Sequence, residues 1–416
     1  MNPFFAWPAM AMLLLAAPLA PAADPLTPAI ALGLDDAAAL AIERQPQLEA
    51  FTADAEAARA RAIAAGQLPD PSMSIGITDL TLEGTDRFTL QRESDTQIIA
   101  GVRQEFPRAA KRQLKRARAE QEAETFDAER AAAERQIARE AGMAWLEVWK
   151  VEESLRLTRL SLVEAERQVQ AVTIAYSAHR ANQAEVLAAR VEAEALRDEA
   201  DGFAQSSRHY RNQLARWIGE AAFNPLCPDL PTETKPDTAA LIAALQTHPH
   251  FLAEAKRVAV AQTDVAAAQA DFKPDWAVSF GYGHRPAFAD YANLQFEIDL
   301  PVFTANRQSR QLQSARAMQT SQEARLVDAL REHTAEIRLN ADDWALLQAR
   351  LKRYDASLLP QSQSRTEAAL AAYGAGTATL KEVLDARRSG LEIAMQKIDL
   401  QFDAAMHQVQ LRYFAP

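Results

Sequence analysis

The chain has 416 residues, of which 24% are charged, and a formal net charge of −11. That acidity argues against nucleic acid as a partner and suits a pathway that admits cations. Glycine is scarce at 13 residues and cysteine occurs once, which excludes a disulfide scaffold and leaves the composition of long helices and coiled coils.

Phe4 to Leu19 is apolar and leads into Ala20-Pro21-Ala22-Ala23. This reads as a secretory signal over residues 1–23, despite the absence of Lys or Arg before the apolar run. A buried N-terminal helix is the plain alternative. No Cys follows the cleavage site, so a lipid anchor is not expected. Beyond residue 23 no run of 18 apolar residues predicts a transmembrane helix.

Asp35 is placed to cap a first short helix through Arg44, and Pro46 opens an Ala-rich second helix to about Leu68. Two alternating stretches follow, at about 71–80 and 95–106. In the first, Met73, Ile75 and Ile77 alternate with polar or small residues; in the second, Ile98, Ala100, Val102 and Phe106 do so. They read as a hairpin of half-apolar strands. Residues 109–175 then predict an unbroken helix, about 100 Å long at 1.5 Å per residue. Its distal half carries a heptad seam of Val148, Val151, Leu155, Thr158, Leu162, Ala165, Val169, Val172 and Tyr176. A return helix over about 183–217 closes the unit, and the Pro-punctuated stretch 221–237, holding Cys227, is a linker.

The same order then repeats. Thr247-His248-Pro249-His250 matches Arg44-Gln45-Pro46-Gln47, Pro274-Asp275 matches Pro69-Asp70, and Leu300-Pro301 matches Phe106-Pro107. Strands are expected at about 275–284 and 292–302, with Trp276, Val278, Phe280 and Tyr282 on one face. A second unbroken rod is expected over about 303–372, with Trp344, Leu347, Leu351, Tyr354 and Leu358 as its seam. The last helix, about 379–413, carries Leu391, Met395, Ile398, Phe402, Ala405 and Val409. At each turn between rod and return helix stands one motif: Tyr176 with Glu185-Val186-Leu187-Ala188-Ala189-Arg190, and Tyr373 with Glu382-Val383-Leu384-Asp385-Ala386-Arg387. The two copies are 197 residues apart. The chain is therefore two tandem units, 24–220 and 238–416.

Aromatic-rich strands with one apolar face fit a transmembrane barrel wall; a soluble sheet on a core is the alternative. Four such strands do not close a barrel, since bacterial barrels start at about eight. The open edges call for further copies of the chain.

With Tyr373-Gly374-Ala375-Gly376-Thr377 before Glu382-Val383-Leu384-Asp385-Ala386, the two-repeat order resembles the TolC family of outer-membrane efflux proteins from end to end of the mature chain. Glu105-Phe106-Pro107-Arg108 leading into Lys111-Arg112 is most similar to the CzcC-like heavy-metal branch. The resemblance implies a mainly helical fold with a barrel part. It implies a homotrimer forming a 12-stranded barrel in outer-membrane lipid and a helical tunnel through the periplasm. It also implies a passive exit duct working with a periplasmic adaptor and an inner-membrane resistance-nodulation-division transporter. Its cargo would be heavy-metal cations, or organic solutes; a soluble periplasmic coiled-coil scaffold is the reading from a different class.

The resemblance places pore acids at Glu382 and Asp385, one helix turn apart. Three copies of such a pair would form a cation-admitting ring. Glu382 as a solvated residue paired with Arg387 or Lys381 is the plainer reading. In the first unit Glu185 keeps its place, but Ala188 stands where the second acid would be. The turn Gly374, Gly376 and Thr377 would meet the adaptor; His179 and Arg180 occupy the matching positions of the other turn, so that tip is expected to dock differently. His179, repeated around an axis, is a candidate metal or proton sensor, against a solvated turn histidine. His248 and His250 flank a proline without further ligand spacing. The run Arg103, Arg108, Lys111, Arg112, Lys115, Arg116 and Arg118 suits either lipid headgroups or a solvated helix face. No catalytic, metal or cofactor motif is present to propose, and an enzyme is not expected.

Overall fold

The computed structural model describes residues 31–230 and 235–415. The expected signal segment, 1–23, lies outside them. The first unit comprises α1 (Leu34–Arg44), α2 (Pro46–Gly66), β1 (Ser72–Thr78), β2 (Gln97–Phe106), α3 (Ala109–Ser177) and α4 (Gln183–Ile218). The second comprises α5 (Thr238–Ala244), α6 (Pro249–Ala270), β3 (Trp276–His284), β4 (Tyr291–Ile298), α7 (Gln308–Arg353), α8 (Leu359–Gly374) and α9 (Leu380–Tyr413). Gly33, not Asp35, is the N-cap of α1; the Asp36 carboxylate accepts from the Gly33 N–H at 3.1 Å.

The 69 residues of α3 form a rod about 100 Å long. Against it α2 lies on the strand side and α4 on the far side. The two short helices meet at its middle, where Leu48, Leu214 and Ile218 join Trp145, Leu146 and Val148 in one core. Trp145 is fully buried, and its indole N–H donates to the Leu32 carbonyl at 3.0 Å. Trp149 donates likewise to Pro228 O at 2.8 Å, so the connection after α4 is tied to the rod's midpoint.

The heptad seam is buried as far as Val172 except at Leu162 and Val169, which are half-buried, and Tyr176 is exposed. There the rod ends, and among the described residues nothing buries that face.

The second rod differs from the expected unbroken helix over 303–372. It begins at Gln308 and its α-helical ladder stops at Arg353; a π turn spans Tyr354–Leu358 and α8 follows with Pro360 in its first turn. The cause is chemical. Pro360 has no N–H to offer the carbonyl four residues back and its ring crowds that carbonyl. The ladder widens instead, with the Leu359 N–H bonding to Tyr354 O. Leu358, expected in the buried seam, is exposed.

All four strands form one antiparallel sheet in the order β1-β2-β3-β4. Observed strands are shorter than expected; β4 ends at Ile298, although the Asp299 N–H still donates to Asp275 O at 2.9 Å in the same register. Register places Met73, Val102, Phe280 and Leu294 in one row across the sheet, and Ile75, Ala100, Tyr282 and Ala292 in the next. Phe106 stacks on Trp276 with ring centroids 4.2 Å apart. This apolar face is open: Met73, Ile75, Phe296 and Ile298 are each more than 60% exposed. On the opposite face Ala277, Gly281, Gly283 and Gln97 are buried. Arg103 there bridges Glu297 at 2.8 Å and also reaches Glu105.

The basic run after β2 knits the units together. The Arg108 N–H donates to Asp275 at 2.9 Å and its guanidinium to Pro274 O at 2.7 Å. Lys111 pairs with Asp275 at 2.8 Å, and Arg112 donates to Gly66 O at 3.0 Å.

Candidate functional site

Both tip turns have one backbone. In the first, the His179 N–H donates to Tyr176 O at 3.0 Å and the Arg180 N–H to Ala175 O at 2.8 Å. In the second, the Gly376 N–H donates to Tyr373 O at 3.0 Å and the Thr377 N–H to Ala372 O at 2.9 Å. These crossed bonds define a Schellman stop with a left-handed residue, His179 at φ 58° and Gly376 at φ 74°. The two turns therefore have the same shape, whatever their side chains. Gly374 closes α8 in helical conformation and does not take positive φ; only Gly376 uses that freedom.

The shared glutamates have a local task that the spacing already encodes. Asn182-x-x-Glu185 and Thr379-x-x-Glu382 are capping boxes. The Glu185 carboxylate accepts from the Asn182 N–H at 3.1 Å, and the Glu382 carboxylate from the Thr379 N–H at 3.0 Å. Glu382 therefore holds the start of α9 rather than pairing with Arg387, which reaches across to donate to Glu164 O at 3.1 Å. Asp385 is exposed, on the same side of α9 as Glu382, with no hydrogen bond or ion pair among the described residues. Of the two acids it is the one with its charge uncommitted. Ala188 is exposed at the matching place in α4.

The tips touch. Leu380 of the second packs with Val172, Val186 and Ala189 of the first, beside a half-buried Tyr373. Burial, and next the nearby Glu185, push the Tyr373 phenol above its ordinary value. Above the tips a cleft of about 380 Å³ lies between the helix pairs α3–α4 and α8–α9, lined by Glu164, Glu192, Glu367, Arg387 and Arg388. Arg388 there pairs with Glu199 at 3.0 Å.

His179 and Arg180 are exposed at the first tip, and His179 belongs to no group of metal-ligating side chains among the described residues. A different set of histidines comes together where α6 begins, and sequence spacing missed it because His333 comes from α7. His248 accepts from the His250 N–H at 3.3 Å, so its other nitrogen donates to Tyr413 O at 2.9 Å. Burial holds both imidazoles below their ordinary value. The ring of His333 lies 5.2 Å from that of His250, and Glu336 accepts from His333 at 2.9 Å. These groups anchor the end of α9; no cluster of metal-ligating side chains occurs among the described residues.

Two repeats of hairpin and rod, sharing one sheet and one pair of tips, define the TolC-like channel fold. The second repeat, residues 240–414, matches the family described as outer membrane efflux protein. The structure is similar to the outer membrane protein VceC of Vibrio cholerae, with 21% identity over 92% of this chain and 95% of that one, at a TM-score of 0.75. A membrane protein of Pseudomonas aeruginosa gives 20% identity, 95% coverage of both chains and a TM-score of 0.77. The open-state outer membrane channel MtrE of Neisseria gonorrhoeae gives 19%, 92% and 88% coverage, and 0.72. Among curated proteins none matches the chain in sequence.

Proposed function

We propose that three copies of this chain form an outer-membrane exit duct of a tripartite efflux system, its rods crossing the periplasm towards an adaptor and a resistance-nodulation-division transporter. The sheet carries this reading. Its aromatic and aliphatic face is open along all four strands, whereas on the other face Gln97, Ala277, Gly281 and Gly283 of the central strands are covered and the outer strands expose small and polar residues such as Ser72, Ser74, Asn293 and Gln295. A soluble scaffold has the opposite arrangement, because exposed apolar area costs about 25 cal/mol per Å² in water and nothing in lipid. Such a duct takes its cargo from the pump below, and its own chemistry is passive.

Heavy-metal cations are the proposed cargo, supported by the net charge of −11 and by Asp385 at the tip. The CzcC-like stretch supports it less directly, since Arg108 and Lys111 are engaged with Asp275. Growth of a deletion strain, with and without the restored gene, tests the cargo across graded copper, silver, zinc, cobalt, cadmium, dyes and detergents. Sensitivity to metals is expected. Sensitivity to dyes and detergents alone overturns the metal reading; recovery of the protein in the soluble periplasm overturns the duct. Asp385→Asn is expected to lower cation preference in single-channel recordings, and unchanged selectivity removes Asp385 from the pore.

A further inference from the structure

The two hairpins share one register under the repeat alignment that sets Pro69-Asp70 on Pro274-Asp275 and Phe106-Pro107 on Leu300-Pro301. Met73 opposite Val102 becomes Val278 opposite Phe296, and Ile75 opposite Ala100 becomes Phe280 opposite Leu294. The second strand of unit one joins the first strand of unit two with Val102 opposite Phe280 and Gln104 opposite Val278. That join is the chain's own pattern for a seam between units. The second strand of unit two, β4, and the first of unit one, β1, are left as open edges.

We infer that β4 of one copy pairs antiparallel with β1 of the next in the register that this internal seam dictates: Ile298 opposite Met73, Phe296 opposite Ile75 and Leu294 opposite Ile77. The inference rests on the duct reading, which requires the edges to meet but leaves their register open. Side-chain chemistry agrees with it independently. All six residues belong to the open apolar face, so the rows continue from copy to copy. On the other face Ser72, Ser74 and Thr78 come opposite Asp299, Glu297 and Asn293, setting hydroxyl donors against acceptors. A slip of one residue sets Phe296 against Ser74 or Gly76 and turns one strand over. A slip of two keeps the faces. It moves Leu300 away from Pro71, however, which is the place where Phe106 stacks on Trp276 within the chain.

Cysteine pairs test the register in full-length protein carrying Cys227→Ser, the native cysteine being free. Opposed residues stand about 4.5–5.5 Å apart between Cα atoms, within reach of a short bis-methanethiosulfonate linker. Ile75→Cys with Phe296→Cys, and Met73→Cys with Ile298→Cys, are expected to convert most of the protein in outer-membrane vesicles to linked dimers and trimers. Ile75→Cys with Leu294→Cys or with Ile298→Cys, the two slipped pairs, are expected to link at least tenfold more slowly. Faster linking of either slipped pair overturns the register while leaving the duct intact. If no pair links and an amine-reactive cross-linker also finds only monomer, the duct reading falls with it.

Discussion

In the first unit the rod runs unbroken from Ala109 to Ser177, whereas in the second it passes through a π turn before Pro360 and only then reaches its tip. Trp344 and Tyr373 are two residues further apart than Trp149 and Tyr176, and the wider turn takes up part of that excess. The midpoints differ too. Where the first rod buries Trp145, the second buries Asn340, whose side-chain oxygen meets His407 at 2.7 Å. Yet both rods end in the same crossed hydrogen bonds and the same capping box. The tips thus keep one backbone while the shafts diverge.

The largest effect is expected from moving the break into the unbroken rod. Counting back from the tip tyrosines, Val163 is the counterpart of Pro360. Its side chain is 45% exposed, so Val163→Pro removes little packing and isolates the backbone. A cost of about 3 kcal/mol is expected, read from the helical unfolding transition in detergent. Pro360→Ala, where the π turn already accommodates the ring, is expected to stay within about 1 kcal/mol of the parent. A Val163→Pro cost below that of the control breaks the comparison, because the shafts would then be equally tolerant.

Much of this was legible in the sequence, and the reasons are local. Strand alternation fixed both faces of the sheet, since the side-chain period of two leaves one assignment that puts Met73, Ile75, Phe280 and Phe296 together. The seam residues Val148 to Val172 followed from their heptad steps. Pro360 was also readable, and its ring alone decides against an unbroken second rod. The capping roles of Glu185 and Glu382 lie in the Asn-x-x-Glu and Thr-x-x-Glu spacings, which the pore reading of the same acids obscured. Two features were not legible. The cluster of His248, His250, His333 and Tyr413 draws on three elements far apart in the chain, and no periodicity predicts such a meeting. The Arg387 reach to the Glu164 carbonyl depends on how α9 packs beside α3, and a backbone acceptor leaves no mark in composition.

The smallest expected effect concerns the tips themselves. Positive φ at His179 sets its Cβ against the following carbonyl, whereas Gly376 takes the same conformation without a Cβ. His179→Gly is therefore expected to stabilise the first turn by roughly 1 kcal/mol, reduced by the greater freedom that glycine gives the unfolded chain. Gly376→Ala is expected to cost about the same in the second, because open space around its Cβ position leaves only the backbone term. Amide exchange at Arg180 and Thr377, the donors of the crossed bonds, reads each turn separately: slower in the first variant, faster in the second. Opposite signs mean that the two turns share one left-handed backbone, in which His179 bears a strain that Gly376 does not. Equal signs would mean that the two turns differ in solution, and that the first tip is not the second in another residue.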